Sequence, residues 1–171
     1  MKPEFIDNFL GKKEFDELQK LLMSSEMPWY YCPGIDYKDD ENKFQFFYIF
    51  YDPHYPFLLF DKLEPIISTI IPTAIVRIKA NLITRTPKIV ENEYHHDISS
   101  FDDENRKTIF PEKLKQLTTS IFYVNNNNGY TIFEDGTKVE SVANRLVTFP
   151  ANMKHTGTSC SDEKIRIVIN F

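Results

Sequence analysis

The chain has 171 residues, enough for one domain with a substantial core. Hydrophobic residues at 42% and charged residues at 26% give an ordinary globular balance, and 5 Gly with 10 Pro exclude long low-complexity tracts. A net charge of -5 lacks the broad positive field of a nucleic-acid binder, and the longest apolar runs, residues 46–51 and 57–60, are too short to cross a bilayer.

Aromatic residues reach 15%, with 15 Phe and 9 Tyr, which suits the pleated surfaces of a sandwich or barrel. The two cysteines, Cys32 and Cys160, suggest no disulfide framework and fit a reducing compartment. Residues 1–10 carry no apolar run behind a basic stretch, so no signal peptide is expected. The expected location is cytoplasmic.

In chain order, Phe5, Ile6 and Phe9 predict a short opening strand. Residues 11–23 predict a helix, because Phe15, Leu18, Leu21 and Leu22 recur at helical spacing. Residues 24–42 hold Pro28, Pro33, Gly34 and a charged cluster, so they predict loop, with a strand at 29–32. Residues 44–51 (FQFFYIFY) predict a buried strand. Pro53 and Pro56 then mark a turn. Residues 57–71 predict a second helix, with Leu59, Leu63, Ile66, Ile67 and Ile70 on one side. Pro65 fits there only in the first turn of a new helical piece.

From residue 74 the period changes to two. Val76, Ile78, Ala80 and Leu82 alternate with Arg77, Lys79, Asn81 and Ile83. Later strands are expected at 94–98, 118–124, 130–134, 138–141, 145–149 and 164–171, with turns at 125–129 and 135–136. The run Asn125 to Asn128 is read as a turn that tolerates left-handed backbone angles. Helices followed by many short strands predict a mainly β (α+β) fold. That fold is an antiparallel jelly roll, a double-stranded β-helix over about residues 74–171. N-terminal helices over about residues 1–73 would brace it within one domain, 1–171.

Two of the four histidines stand in Tyr94-His95-His96-Asp97. In a strand, residues two apart share a face, so His95 and Asp97 can present an imidazole and a carboxylate together. His155, 60 residues after His95, is the best third ligand. Two imidazoles and one carboxylate on one face of an octahedron are the arrangement of non-haem iron(II) oxygenases. Alone, His-x-Asp also reads as a surface histidine beside an acid. Arg166 follows His155 by 11 residues, in KIRIVINF, sharing a face with Val168 and Asn170. If inward, its guanidinium needs an anion, and a dicarboxylate would supply one through a bidentate fork. If outward, it is an ordinary edge-strand arginine.

These residues resemble the 2-oxoglutarate/Fe(II)-dependent oxygenase superfamily, in its prolyl 4-hydroxylase-like branch. Similar short proteins occur in marine phages, which would make the location host cytoplasm. The resemblance covers residues 74–171. It runs in family order through His95-x-Asp97, Ile121-Phe122-Tyr123-Val124-Asn125, Gly129-Tyr130-Thr131-Ile132-Phe133, Phe149-Pro150, His155 and Arg166. It implies that His95, Asp97 and His155 ligate iron and are catalytic, and that Arg166 and Tyr123 bind the far carboxylate of 2-oxoglutarate. Asn81 is implied as a further polar contact. The implied cofactors are Fe(II), 2-oxoglutarate as co-substrate and O2, with ascorbate as an additional candidate. The carboxylate of Asp97 favours hydroxylation over halogenation, because halogenating relatives lack it. Thr131 and Thr148 are candidates for the cavity wall, and His96 should face away from the metal. Residues 99–115 are read as a flap over the site.

The implied reaction is hydroxylation of a C–H bond, with a prolyl residue of a protein or peptide as the leading substrate. A small-molecule or free amino-acid substrate on the same scaffold is the alternative. Nucleic-acid dealkylation is disfavoured by the acidic charge and by the place of a second arginine, six residues after Arg166, falling past residue 171. A non-catalytic jelly-roll binding protein is the non-enzymatic alternative. No nucleic-acid or membrane partner is expected, and the pattern carries no oligomeric state.

Overall fold

The computed structural model describes residues 2–35, 43–54, 58–97, 112 and 115–171. Among the described residues the strands and longer helices follow in the order β1 (Glu4–Ile6), α1 (Lys12–Leu22), β2 (Tyr30–Cys32), β3 (Gln45–Tyr51), α2 (Glu64–Ile70), β4 (Ile78–Thr84), β5 (Thr118–Tyr123), β6 (Tyr130–Phe133), β7 (Lys138–Glu140), β8 (Arg145–Pro150), β9 (His155–Gly157) and β10 (Ile165–Asn170). A 3-10 turn, Phe60–Leu63, leads into α2, and Pro65 sits in that helix's first turn, where its missing N–H costs nothing. The single helix expected over 57–71 is therefore two pieces.

Seven strands form one sheet in the order β1-β8-β5-β10-β4-β3-β2, and three form a second, β7-β6-β9. All pairings are antiparallel. The jelly-roll expectation holds, and the strands expected within residues 1–73 appear as β1, β2 and β3, of which β1 and β2 form the two edges of the large sheet.

Side-chain alternation divides the large sheet into two working faces. Ile78, Ala80 and Leu82 of β4, Phe122 of β5, and Ile167 and Ile169 of β10 pack with Leu18, Leu22, Leu63 and Ile66 of the helical layer. Ile121 and Tyr123 of β5, Val147 and Phe149 of β8, and Val168 of β10 pack with Phe133 and Val139 of the small sheet. Between the sheets, part of this second layer is left as a cavity.

Three local expectations change. Residues 94–97 form no strand; only His95 makes an isolated antiparallel bridge, to His155. Residue 98 lies outside the described residues, as does the expected flap apart from residues 112 and 115. His155 lies in the short strand β9, which no alternation announced because it is three residues long. The run Asn125 to Asn128 adopts no positive φ; the left-handed non-glycine residues are Asn8, Ile71 and Asn144. The asparagines act through their amides instead. Asn125 donates to Ile165 O at 2.8 Å and accepts from Ile167 N at 3.0 Å, and Asn127 accepts from Gly129 N. Asn126 accepts from Ala143 N, and Asn128 links to Ser161 and Asp162.

Asn125 is buried and fixes the start of β10, the strand carrying Arg166. Asn125→Ala should therefore destabilise the protein by about 1–3 kcal/mol, the cost of stranding buried backbone groups, or a Tm loss of roughly 2–12 °C. Asn126→Ala, at an exposed position, should cost less than about 1 kcal/mol. Urea midpoints of the two variants check the contrast.

Candidate metal centre

The bridge between His95 and His155 is reciprocal: His95 N donates to His155 O at 3.0 Å, and His155 N donates to His95 O at 3.1 Å. This pins an otherwise irregular segment against β9 and sets the imidazole centroids 4.9 Å apart. Each ring is aimed by its own backbone. Nδ1 of His95 lies 3.1 Å from Glu93 O, and Nδ1 of His155 lies 3.1 Å from Met153 O. A carbonyl only accepts, so each Nδ1 carries the proton and each Nε2 keeps its lone pair.

Both Nε2 atoms face Asp97. His95 Nε2 is 3.9 Å from Asp97 Oδ1, and His155 Nε2 is 3.5 Å from Asp97 Oδ2. One donor atom from each of the three residues lies within 4.8 Å of the others, close enough to share one cation. Asp97 Oδ2 is buried with no hydrogen-bond donor. A buried carboxylate oxygen without a donor is costly, and a cation would satisfy it. Two imidazoles and a carboxylate also suit a divalent transition metal better than a thiolate-seeking one. Phe133 and Phe149 pack against His155, and this burial pushes its imidazole pKa down, opposed in part by Asp97.

The three residues open onto a cavity of about 440 Å³ between the sheets. Across it lies Arg166, only 2% exposed. Arg166 Nε donates to Ser141 Oγ at 2.8 Å, and Nη2 lies 3.5 Å from Thr131 Oγ1. Tyr123 donates from its hydroxyl to the same Thr131 Oγ1 at 2.8 Å, and its ring centroid is 5.8 Å from the guanidinium carbon. Among the described residues no carboxylate pairs with Arg166. A buried guanidinium needs an anion, and a carboxylate would supply one. Gly129 makes room for it: a Cβ there would stand 2.7 Å from Arg166 Cδ and 2.8 Å from Ser159 O.

Each residue singled out in the sequence can now be placed. His95, Asp97, His155, Arg166, Asn81 and Thr131 line the cavity, and Tyr123 backs Arg166 from within the core. His96 borders the same cavity at an exposed position and is not among the three residues whose ligand atoms converge. Thr148 is not in the wall; its hydroxyl bonds Ser120 Oγ at 2.8 Å. His54 is exposed beyond β3, where its backbone N–H donates to Asp52. Trp29 packs on the core, while Tyr30 and Tyr31 are exposed. Cys32 and Cys160 are both free thiols. Sequence reasoning missed Ser141, which orients Arg166 from β7's end, because a serine after a three-residue strand carries no local signal.

No family model and no curated protein matches the sequence. Solved structures do match the fold. A viral collagen prolyl hydroxylase from Paramecium bursaria Chlorella virus-1 aligns with TM-score 0.57 at 15% identity, over 99% of this chain and 88% of that one. A prolyl hydroxylase from Trichoplax adhaerens, bound to a hypoxia inducible factor peptide fragment, aligns with TM-score 0.62 at 13% identity, over 98% and 81%. HygX from Streptomyces hygroscopicus, with nickel and 2-oxoglutarate bound, aligns with TM-score 0.64 at 10% identity, over 99% and 81%. The chain has the double-stranded β-helix fold that these prolyl hydroxylases and 2-oxoglutarate/Fe(II) oxygenases share.

Proposed function

We propose that this chain is an Fe(II)/2-oxoglutarate-dependent hydroxylase in which His95, Asp97 and His155 hold the metal. One observation carries the reading. Three ligand atoms within 4.8 Å of each other share a cavity with a buried guanidinium that has no acidic partner among the described residues. Metal and diacid together explain both unbalanced features, the donorless Asp97 oxygen and the anion-free Arg166.

In this reading Arg166, steadied by Ser141, forks the far carboxylate of 2-oxoglutarate, and Thr131, held from behind by the Tyr123 hydroxyl, bounds its end of the pocket. Asn81, on β4 beside Val168, adds an amide to the wall. Fe(II) held by these residues would supply the reaction of O2 with 2-oxoglutarate, giving succinate and carbon dioxide and placing one oxygen atom in a substrate C–H bond. The protein's own part is geometry: the Glu93 and Met153 carbonyls lock the imidazole tautomers, and Phe133 and Phe149 keep water from His155.

A prolyl residue of a peptide is the proposed substrate, supported by the fold shared with two prolyl hydroxylases, one of them peptide-bound. Free proline or another small molecule is the second reading, since a cavity of about 440 Å³ is of small-ligand size. Ascorbate is proposed only as a stimulant of turnover. Among the described residues no helix is long and apolar enough to cross a membrane.

Succinate release and a one-oxygen mass gain, measured over prolyl peptides and free amino acids, test the activity. Asp97→Ala and His155→Ala should each lower turnover at least about 100-fold, and full activity in either contradicts the assignment. Arg166→Ala should chiefly raise the 2-oxoglutarate KM, by about tenfold or more, with a smaller effect on kcat. Acid should act through His155. Burial holds its folded pKa below the ordinary imidazole value of about 6.5, so below that pH the unfolded chain binds the extra proton. The metal-free protein should thus keep this contribution above about pH 6.5 and lose stability as pH falls through it. Urea midpoints of wild type and His155→Gln across that range check the slope, which the variant should flatten.

A further inference from the structure

The cavity has a second basic end. Lys79 and Arg77 line it from β4 and the residue just before that strand. Strand register sets Lys79 beside Asn170 of β10, as it sets Ile83 beside Arg166. Four residues separate these rows, roughly 13 Å at about 3.3 Å per residue. A five-carbon diacid anchored on Arg166 does not span that distance, so Lys79 and Arg77 stand beyond the co-substrate's far carboxylate site.

Neither cation has an ion-pair partner among the described residues. Lys79 rests its ammonium over the Phe47 ring at 5.1 Å, which offsets only part of its desolvation. Burial lowers its pKa first and Arg77 lowers it further, while Cys32 and Asp97 oppose. Asp97 does not remain available as a counter-charge once its carboxylate serves a cation. Beside Lys79, the Oδ1 atom of Asn170 is buried and accepts no hydrogen bond. Two half-buried cations and a buried acceptor without a donor define a polar surface awaiting an anion that also carries an N–H or O–H.

Resting on the hydroxylase reading above, we propose that Arg77, Lys79 and Asn170 form a substrate-recognition subsite for a carboxylate. Lys79 and Arg77 neutralise the anion, and Asn170 Oδ1 accepts an N–H or O–H of the same molecule. The carboxylate comes either from a free amino acid or from an acidic residue of a peptide.

The test uses the full chain loaded anaerobically with Mn(II) and saturated with N-oxalylglycine, an inert diacid analogue. Calorimetry then follows the binding of L-proline against L-prolinamide, and of acetyl-Ala-Pro-Glu-Ala-amide against its Gln counterpart. Wild type should prefer at least one carboxylate probe over its neutral partner by about tenfold or more. Preference for free proline assigns the small-molecule source, and preference for the Glu peptide assigns the peptide source. The double variant Arg77→Gln/Lys79→Gln should lose the preference while its N-oxalylglycine Kd stays within about twofold of wild type. Lys79→Arg, which keeps the charge, should retain the preference and guards against a folding artefact. Absence of any carboxylate preference overturns the subsite. So does a double variant that weakens N-oxalylglycine as strongly as the probes, since the cations would then serve the diacid. Failure of wild type to bind N-oxalylglycine with Mn(II) is a separate result that removes the hydroxylase reading itself.

Discussion

Two backbone hydrogen bonds, exchanged between His95 and His155, join a segment without regular structure to a three-residue strand of the small sheet. The rest of the site depends on that exchange. It sets two imidazoles from positions 60 residues apart at 4.9 Å and leaves Asp97 between their Nε2 atoms. Backbone bonds of this kind are short and directional, so the ligand set is positioned by main chain and not by the rotamer freedom of exposed side chains. That matters for His95, whose side chain is half exposed and has little packing to hold it.

The second constraint is strand parity. On β4, β5 and β10 one set of alternating residues faces the helices and the other faces the cavity. A slip of one residue in β10 would send Arg166 into the apolar layer with Leu18 and Leu22 and bring Ile167 to the cavity. The strong apolar alternation of Ile165, Ile167 and Ile169 holds the register, with Asn125 clamping the strand's first turn of backbone. Packing of the helical layer therefore secures the chemistry on the opposite face. Gly129 belongs to the same logic, since any side chain there would push on the arginine.

Parity also explains what the sequence made legible. Period-two patterning gave the cavity-facing residues of β4 and β10 by simple counting, Lys79 and Asn170 included, although their use was not evident. Pro65 marked the break that splits residues 60–70 into two helical pieces. The convergence of His95, Asp97 and His155 was read through residue type and order. Strand alternation over residues 94–97 is absent, and a single bridge does the positioning. The asparagine run misled for a related reason. Asn is common where φ is positive, but here its amides satisfy backbone groups of β10 and neighbouring loops, a long-range use with no local pattern. Ser141 was illegible on the same ground.

The central claim is that one metal ion and one diacid occupy the two ends of a single cavity. Diffraction from crystals grown anaerobically with Mn(II) and 2-oxoglutarate, collected with anomalous signal, tests it most directly. The account predicts one manganese peak bonded to Nε2 of His95, Nε2 of His155 and the Asp97 carboxylate, with the far carboxylate of the diacid forked by Arg166. Manganese elsewhere, or a diacid whose far carboxylate leaves Arg166 unpaired, would contradict it.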